Sequence, residues 1–242
     1  MVESVRKLID CGYFSLKVTG KDLIPKTSRP VVFIGNHSGW MALDAIIWFL
    51  ATDIPSDEPN KIPYAVIEDA LLDLPFMKGV LDQFAIRKSQ LKRGKLPENA
   101  KKICIFPEGS DGNCKSFLQA YHMQPWKPGF VKLALHHKAI VAPSLIIGGE
   151  EALPSLMPIR LTRPFIGSSI PWPIFPMPLP TKWEVHFLKP IDFRRYPKNW
   201  QNSKSYIHGL IQEIQEQHQA ELDAVTRKRP LRRWADKLEW LF

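Results

Sequence analysis

Long apolar runs are missing from this 242-residue chain. No stretch reaches the roughly 18 uninterrupted apolar residues that a membrane-spanning helix needs. The longest candidate, Gly39 to Ala51, is too short and contains Asp44. The N-terminal MVESVRKLIDCGYF has early acidic residues and no long apolar core, which argues against a signal peptide. We therefore expect a cytoplasmic chain that is soluble or lies peripherally on a membrane surface.

Cysteine is also scarce, and several well-known site motifs are missing. Cys11, Cys104 and Cys114 show no CxxC or Cys/His spacing, so the sequence predicts no zinc site and favours a reducing, intracellular setting. The lack of a G-x-S-x-G elbow argues against a serine lipase. The lack of a Gly-rich phosphate loop argues against nucleotide binding of the P-loop or dinucleotide type.

Acidic side chains are outnumbered, since the net charge is +9 and the pI is about 9.5. Such a chain favours anionic partners: nucleic acid, an anionic membrane surface or a phosphorylated substrate. A recognised nucleic-acid motif is missing, as is the aromatic-basic interleaving of single-strand binders, so we expect no nucleic acid. The apolar fraction of 45% excludes a disordered chain, and the length predicts a single domain over residues 1–242.

The spacing of apolar residues predicts alternating helices and strands. Amphipathic helices are expected at both ends, over residues 2–17 within the N-terminal segment 1–20 and in the basic segment 227–242. Between them, strands are predicted at 30–35, 64–67, 83–87, 102–106, 139–147 (interrupted by Pro143) and 183–188, and helices at 42–50, 76–81, 130–137 and 203–225. This order predicts an α/β domain whose largely parallel or mixed sheet is flanked by helices.

Three polar side chains stand where predicted strands end. His37 follows the strand at 30–35 almost directly, Arg87 closes the strand at 83–87, and Glu108 follows the strand at 102–106. Because sites in such sheets collect at the carboxyl ends of strands, we expect these three residues to share one site.

The first of these stretches is NHSGWMALD, which holds His37 and Asp44. A neutral imidazole can take a proton from a hydroxyl, and a carboxylate behind it fixes the tautomer. The alternative is that His37 only enters a helix and that Asp44 is a buried cap or salt-bridge partner.

The second stretch, IFPEGSDGNCK, turns on a proline and presents Glu108 beside Gly109, which permits close backbone approach. Its alternative is an ordinary Pro-Glu-Gly turn.

Together the two stretches resemble the glycerolipid acyltransferases, the lysophospholipid acyltransferase superfamily. That family has an NH-x-x-x-x-D block, a block with an Arg, an FPEG block and a Pro-containing strand. This chain has NHSGWMALD, GVLDQFAIR, FPEG at 106–109 and IVAPSLIIGGEE in the same order. The resemblance runs from about residue 18 to residue 192.

The resemblance implies an acyltransferase-like fold and an O-acyltransferase that moves a fatty acyl group from acyl-CoA or acyl carrier protein to a glycerolipid hydroxyl at a membrane surface. No metal and no other cofactor are implied. His37 would be the general base that Asp44 orients, and the acceptor would attack the thioester directly, without an acyl-enzyme. The residues placed in substrate binding are Asn36, Arg87, Phe106, Pro107, Glu108, Gly109, Ser110 and Lys115.

The spacing between the His and the Asp departs from the family pattern. Six residues separate His37 from Asp44 instead of four. The pair can still meet if Ser38, Gly39 and Trp40 form a turn before the helix begins. The longer spacing and the PEG-x-x-G-x-x-K pattern are similar to the branch of bacterial monoacylglycerol and diacylglycerol acyltransferase-like proteins.

The residues after FPEG also depart from the pattern. Many lysophosphatidate enzymes have a Thr and an Arg there, whereas this chain has Ser110 and Asp111. A phosphate-binding cation is therefore missing, unless Lys115 replaces it, and an exposed loop lysine is the alternative. Both departures keep open a second function, that of a catalytically silent, lipid-binding family member.

Two further segments are candidates for contact with lipid. The C-terminal basic helix places Leu231, Trp234, Leu238 and Leu241 opposite Arg232, Arg233 and Lys237. It fits an interfacial helix on anionic lipid, or a terminal helix packed on the domain.

The segment 164–180, PFIGSSIPWPIFPMPLP, is rich in proline and large apolar side chains. If this segment is exposed, we expect a membrane surface to cover it or the segment to line an acyl-chain tunnel. The alternative is that its side chains pack in the core.

Overall fold

The structure is a computed structural model that describes residues 2–39, 43–54, 63–67, 85–87, 101–162, 164, 169–196 and 203–238. Its strands are β1 Phe14–Thr19, β2 Val31–Gly35, β3 Tyr64–Ile67, β4 Ala85–Arg87, β5 Lys102–Ile105, β6 Ile140–Ile147, β7 Ser155–Ile159, β8 Ile170–Pro173, β9 Thr181–Phe187 and β10 Ile191–Asp192. Its α-helices are α1 Val2–Asp10, α2 Leu43–Ala51, α3 Ser110–Asn113, α4 Gly129–His137, α5 Gly149–Ala152, α6 Lys204–Thr226 and α7 Pro230–Leu238. The helix predicted at 76–81 lies outside the described residues.

The main sheet has the order β4-β3-β5-β2-β6-β9-β1. The five strands from β4 to β6 run parallel, whereas β9 runs antiparallel to β6 and β1 runs parallel to β9. The short β10 pairs with the start of β6, and β7 and β8 form a separate two-stranded sheet. The predicted α/β class with a mostly parallel, mixed sheet is therefore confirmed, whereas the single domain over the whole chain stays a prediction.

Helices cover both faces of this sheet, so the central strands are apolar along their whole length. All five residues of β2, VVFIG, are buried. Val32 and Ile34 pack with α4 and α6 on one face, and Val31 and Phe33 pack with α1 and α2 on the other. Strands that are buried on both faces read as continuous apolar runs, which is why β2, β5 and β6 could be predicted within one or two residues.

The predicted N-terminal helix over 2–17 is wrong beyond residue 10. The helix ends at Asp10, Gly12 adopts a positive φ of 78°, and Phe14–Thr19 form β1 beside β9. Phe14, Leu16 and Val18 recur at a spacing of two and pack into the core as strand residues do, so the apparent helical spacing of Leu16 was coincidental.

Pro143 does not interrupt its strand, contrary to the sequence-based prediction. β6 is continuous from Ile140 to Ile147, and Pro143 pairs with Ile34 of β2. The pairing on the other side of β6 is interrupted instead: β10 pairs with β6 only up to Val141, and β9 pairs with it only from Ser144. A residue without an N–H group fits a position that falls between two partner strands.

The C-terminal helix begins at Pro230, three residues later than predicted, and a different face of it packs on the domain. Leu231 and Ala235 of α7 face the domain, whereas Trp234 is 62% exposed. Arg232 does not lie on the outer face: it donates to Asp223 and Asp236 and is largely buried. No helix within the described ranges is both long and apolar enough to cross a bilayer.

A buried histidine fastens α6 to the sheet. The Nε2 of His218 lies 3.0 Å from the carbonyl oxygen of Ser144, which can only accept, so the ring donates there. The ring of Trp126 meets it edge-on, with 5.1 Å between the centroids. Burial lowers the pKa of His218 to about 4, and the hydrogen bond to Ser144 opposes this shift only in part.

The stability of the fold should therefore fall in acid. Because His218 binds a proton more weakly in the folded chain (pKa about 4) than in the unfolded chain (6.5), its contribution is complete above pH 6.5 and is lost as the pH falls towards 4. We expect a loss of about 3 kcal/mol from this group. Urea unfolding at several pH values should show a shallower pH dependence for His218→Gln than for the wild type. An unchanged dependence would contradict the assignment.

Candidate functional site

A histidine and a carboxylate meet where β2 gives way to α2. The Nδ1 of His37 lies 2.5 Å from Oδ2 of Asp44. Asp44 is fully buried, and it also accepts hydrogen bonds from the N–H of Ser38 (2.9 Å) and the N–H of Ala45 (2.8 Å). The carboxylate thus bonds to the first turn of α2 and to the imidazole at once, so the capping contact does not exclude the contact with His37.

A sharp turn allows the pair to meet across the longer spacing. Gly39 has a positive φ of 70°, and a Cβ atom there would lie 2.8 Å from the carbonyl oxygen of Gly149. Both the dihedral angle and the close approach therefore require glycine. The helix then begins at Leu43, which brings Asp44 back beneath His37. The predicted turn includes Trp40, which lies outside the described residues.

The imidazole is fixed in plane but open at one edge. The ring of Phe106 stacks on it with 4.3 Å between the centroids and 16° between the planes. The side chain of His37 is 12% exposed, and Nε2 has no hydrogen-bond partner among the described residues. Since Nδ1 faces Asp44, Nε2 is the nitrogen that is available to another molecule. Phe106, predicted to touch substrate, here supports the ring.

Asn36 ties two strands together instead of facing a ligand. Its side-chain amide donates to the carbonyl oxygen of Ile146 at 2.7 Å, and its side-chain oxygen accepts from the N–H of the same residue at 2.8 Å. The residue is fully buried. The predicted substrate contact is therefore corrected to a positioning role, since Asn36 locks the end of β2 to β6 directly before His37.

Glu108 is likewise buried and engaged within the protein. Its Oε1 accepts from the backbone N–H of His37 at 2.9 Å, and its Oε2 accepts from the N–H of Gln124 at 2.7 Å. No part of the residue is exposed. Both oxygens hold backbone, so this residue braces the loop that carries His37, and the predicted contact with the acceptor does not match its place in the structure.

Lys115 lies inside the protein and not on an exposed loop. Its Nζ is 3.3 Å from Oε2 of Glu108 and 3.4 Å from Oε1 of Glu150, and its side chain is 1% exposed. Burial alone would lower the pKa of Lys115, but the two carboxylates outweigh it and hold that pKa above its ordinary value. The ammonium group thus neutralises buried acid, and it is not free to replace the missing phosphate-binding cation.

The FPEG turn packs tightly against the histidine. Gly109 has a positive φ of 59° and donates its N–H to the carbonyl oxygen of Phe106, while the buried Pro107 precedes Glu108. Ser110 begins the short α3 and is half-buried. A Cβ atom on Gly112 would lie 2.7 Å from Cβ of Glu108 and 2.9 Å from Cβ of His37. Gly112 is the second glycine of the PEG-x-x-G-x-x-K pattern, but the sequence analysis assigned it no role.

Two cations remain to be placed. Arg87 ends β4, two strands from β5 on the same edge of the sheet, and its side chain lies outside the described part. Lys127, which sequence reasoning missed, lies beside Gly109 and pairs with Asp111 at 3.3 Å.

Among the described residues, no cluster of three or more metal-ligating side chains occurs. The arrangement can hold a hydroxyl against Nε2 of His37 and accept its proton.

The fold is similar to that of a solved enzyme. The crystal structure of a 1-acyl-sn-glycerophosphate acyltransferase, PlsC, from Thermotoga maritima matches with a TM-score of 0.58 over 92% of this chain and 80% of that chain. The sequence identity is 16%, so the match concerns the fold alone.

Curated relatives come from mycobacteria and are longer than this chain. An uncharacterized protein of Mycobacterium leprae is 30% identical over 200 residues, which cover 74% of this chain and 52% of that protein. An uncharacterized protein of Mycobacterium tuberculosis is 27% identical over 223 residues, which cover 85% of this chain and 60% of that protein. The chain therefore spans between about half and three fifths of the length of these relatives.

A family model extends over most of the sheet that carries the site. The model described as Acyltransferase matches residues 15–147, from β1 to the end of β6, which is more than half of the chain. The match includes the His37–Asp44 pair, Phe106 and the Glu108 brace. This agreement of sequence and fold shows that the chain belongs to the acyltransferase family.

Proposed function

We propose that this chain transfers a fatty acyl group from an acyl thioester to the hydroxyl of a glycerolipid, with His37 as the general base. One observation carries the proposal: a buried carboxylate lies 2.5 Å from Nδ1 of His37, while Nε2 on the opposite edge of the ring has no hydrogen-bond partner among the described residues. An imidazole so oriented offers Nε2 as a base beside the carboxyl ends of β2, β5 and β6.

The proposed step is a direct displacement. Nε2 of His37 takes the proton of the acceptor hydroxyl while that oxygen attacks the thioester carbonyl, so a C–O bond forms and the C–S bond breaks. The leaving thiolate then takes the proton back from the imidazolium, which Asp44 stabilises meanwhile. Phe106 keeps the ring in plane, and Glu108 keeps the backbone N–H of His37 in place. No acyl-enzyme is needed.

The proposed class of acceptor rests on the cations near His37 that the structure describes. Lys115 is buried against Glu108 and Glu150, and Lys127 is paired with Asp111, so neither offers an unpaired charge to a phosphate. Unless Arg87 or a cation outside the described ranges supplies one, a neutral acceptor such as monoacylglycerol or diacylglycerol is favoured. The donor, acyl-CoA or acyl carrier protein, is left to experiment.

The silent lipid-binding alternative loses its main argument. It drew on the six-residue spacing, which left open whether His37 and Asp44 meet, and Nδ1 of His37 lies 2.5 Å from Oδ2 of Asp44. It also drew on the missing phosphate-binding cation, which affects the choice of acceptor and not the proton transfer by His37.

Acyl transfer should depend on His37. We expect labelled acyl-CoA to acylate one or more detergent-dispersed acceptors among lysophosphatidate, lysophosphatidylcholine, monoacylglycerol and diacylglycerol, and we expect His37→Ala to abolish this because the base is gone. His208→Ala, which removes an exposed histidine on α6, is the control. Acyl carrier protein replaces CoA as donor in a parallel series. Equal turnover by His37→Ala would refute the proposal.

Asp44 should matter for the rate and much less for binding. Asp44→Asn removes the charge that orients the ring, so we expect kcat to fall by about a thousandfold to ten-thousandfold. Asp53→Asn, at an exposed carboxylate that pairs with Lys21, should change nothing. Steady-state kinetics would decide, and a fall that is confined to KM would assign Asp44 to substrate binding instead.

Gly112 should tolerate no side chain. In Gly112→Ala the new Cβ would press on Glu108 and His37, so we expect kcat to fall by about tenfold or more because displaced catalytic groups lose rate steeply. Gly209→Ala on α6 is the matched control, since nothing lies within 4 Å of its Cβ position. Wild-type kinetics in Gly112→Ala would mean that this packing does not set the position of His37.

Lys115 should matter for stability first. Lys115→Met leaves Glu108 and Glu150 buried without their counter-ion, and we expect unfolding free energy to fall by about 3 kcal/mol. Lys127→Met removes a half-exposed cation from the same neighbourhood and should cost less than about 1 kcal/mol. Urea unfolding measures both. Equal midpoints for the two variants would contradict the buried role of Lys115.

A further inference from the structure

An apolar surface projects beside the site, on β7, β8 and the segments that adjoin them. Its outward side chains are 44% to 84% exposed and comprise Leu156, Met157, Leu161, Ile170, Trp172 and Met177, which together we call the outer apolar surface. Ile174 and Phe175, at 42% and 45%, extend it. Folded chains rarely leave so many large apolar groups together in water unless a partner covers them.

The burial pattern of this small sheet is the reverse of the usual one. Ser155 and Ser169 are buried, whereas Leu156 and Met157 point into solvent. Along β8 the buried Pro171 separates the exposed Ile170 and Trp172. A strand with water on its outer face places polar side chains there. This sheet instead presents its most apolar side chains outward, which suits an apolar medium outside.

The charges around this surface select one kind of apolar medium. No acidic residue occurs between residues 152 and 183, while Arg160, Arg163 and Lys182 do. Arg160 and Lys182 are exposed. Basic side chains that flank an apolar surface, with no acid among them, complement an anionic lipid leaflet.

The proline content also fits contact with lipid. Eight prolines lie between residues 154 and 180. Each lacks the backbone N–H that would otherwise need a hydrogen-bond partner. Because unpaired donors are costly where water is excluded, a proline-rich loop enters the boundary of a bilayer at lower cost than an ordinary loop.

The segment from residue 153 to residue 180 contacts the loops around His37 at two places. Directly before β8, Sγ of Cys114 donates to the carbonyl oxygen of Ser169 at 3.2 Å, and Cys114 directly follows α3, whose Gly112 packs against His37. Before β7, Leu153 lies against Gly39, with its Cβ 3.5 Å from the position of a Cβ on that glycine. The outer apolar surface therefore lies beside the opening at His37.

We propose that the outer apolar surface docks on an anionic lipid leaflet and seats the opening at His37 against it. Trp172 anchors the surface at the boundary between acyl chains and headgroups, and Arg160 and Lys182 meet the phosphates. The inference goes beyond the proposed acyl transfer, since docking requires neither donor nor acceptor.

Vesicle binding by the full chain tests this surface. Sedimentation with phosphatidylcholine vesicles, with or without phosphatidylglycerol, is measured without substrates. We expect salt-sensitive binding that phosphatidylglycerol strengthens, and at least about tenfold weaker partitioning for Leu161→Ser/Trp172→Ser/Met177→Ser. Val225→Ser, an exposed apolar position on α6, is the control. Thermal melts of all variants should match the wild type, because the three side chains are 55% to 84% exposed.

The proposal would be overturned by wild-type binding of the triple variant, by no binding of the wild type to phosphatidylglycerol vesicles, or by a dimer in solution that is lost in the triple variant without any vesicle binding. Loss of binding in Trp234→Ser but not in the triple variant would move docking to α7 and would overturn it too. Vesicle binding lost in the triple variant without acyl transfer in any assay would support docking and contradict the proposed activity.

Discussion

One buried carboxylate, that of Glu108, holds the candidate site together. A charge without water is costly unless it is hydrogen-bonded and paired: here the N–H groups of His37 and Gln124 donate to the carboxylate, and the ammonium group of Lys115 forms an ion pair with it at 3.3 Å. Lys115 extends the contact to Glu150 on α5. The loop that carries His37 is thereby fixed by groups 71 or more residues away along the chain.

The sheet explains why these groups converge. In the sheet, β2 lies between β5 and β6. After β5 the chain therefore crosses β2 and forms β6 on its other side. The carboxyl ends of the three strands thus meet where the strand order reverses, which in open α/β sheets is the usual place for a site. Asn36 and Ser144 fasten β2 to β6 there through hydrogen bonds to Ile146 and Ile34. Nε2 of His37, above these strand ends, is the atom that we propose as the base.

Much of this could be predicted from the sequence, because buried parallel strands read as apolar runs and site residues follow them directly. His37 and Glu108 were found in this way, and Asp44 through the stretch that it shares with His37. β1 was not predicted, since Leu16 suits helical and strand spacing alike. The roles of Lys115 and Asn36 were also missed, because a lysine in a loop and an asparagine beside a histidine reveal their burial only when distant strands are in place. Contacts between residues about 110 apart leave no local pattern.

The proposed role of His37 depends on the tautomer of its ring. Nitrogen-15 NMR of the histidines, with His37 assigned by difference from His37→Gln, reads that tautomer at a pH where the ring is neutral. We expect a proton on Nδ1, facing Asp44, and a bare Nε2, with this preference weakened in Asp44→Asn. A neutral ring that carries its proton on Nε2 would have no lone pair to offer a hydroxyl, and it would contradict the role of His37 as the base.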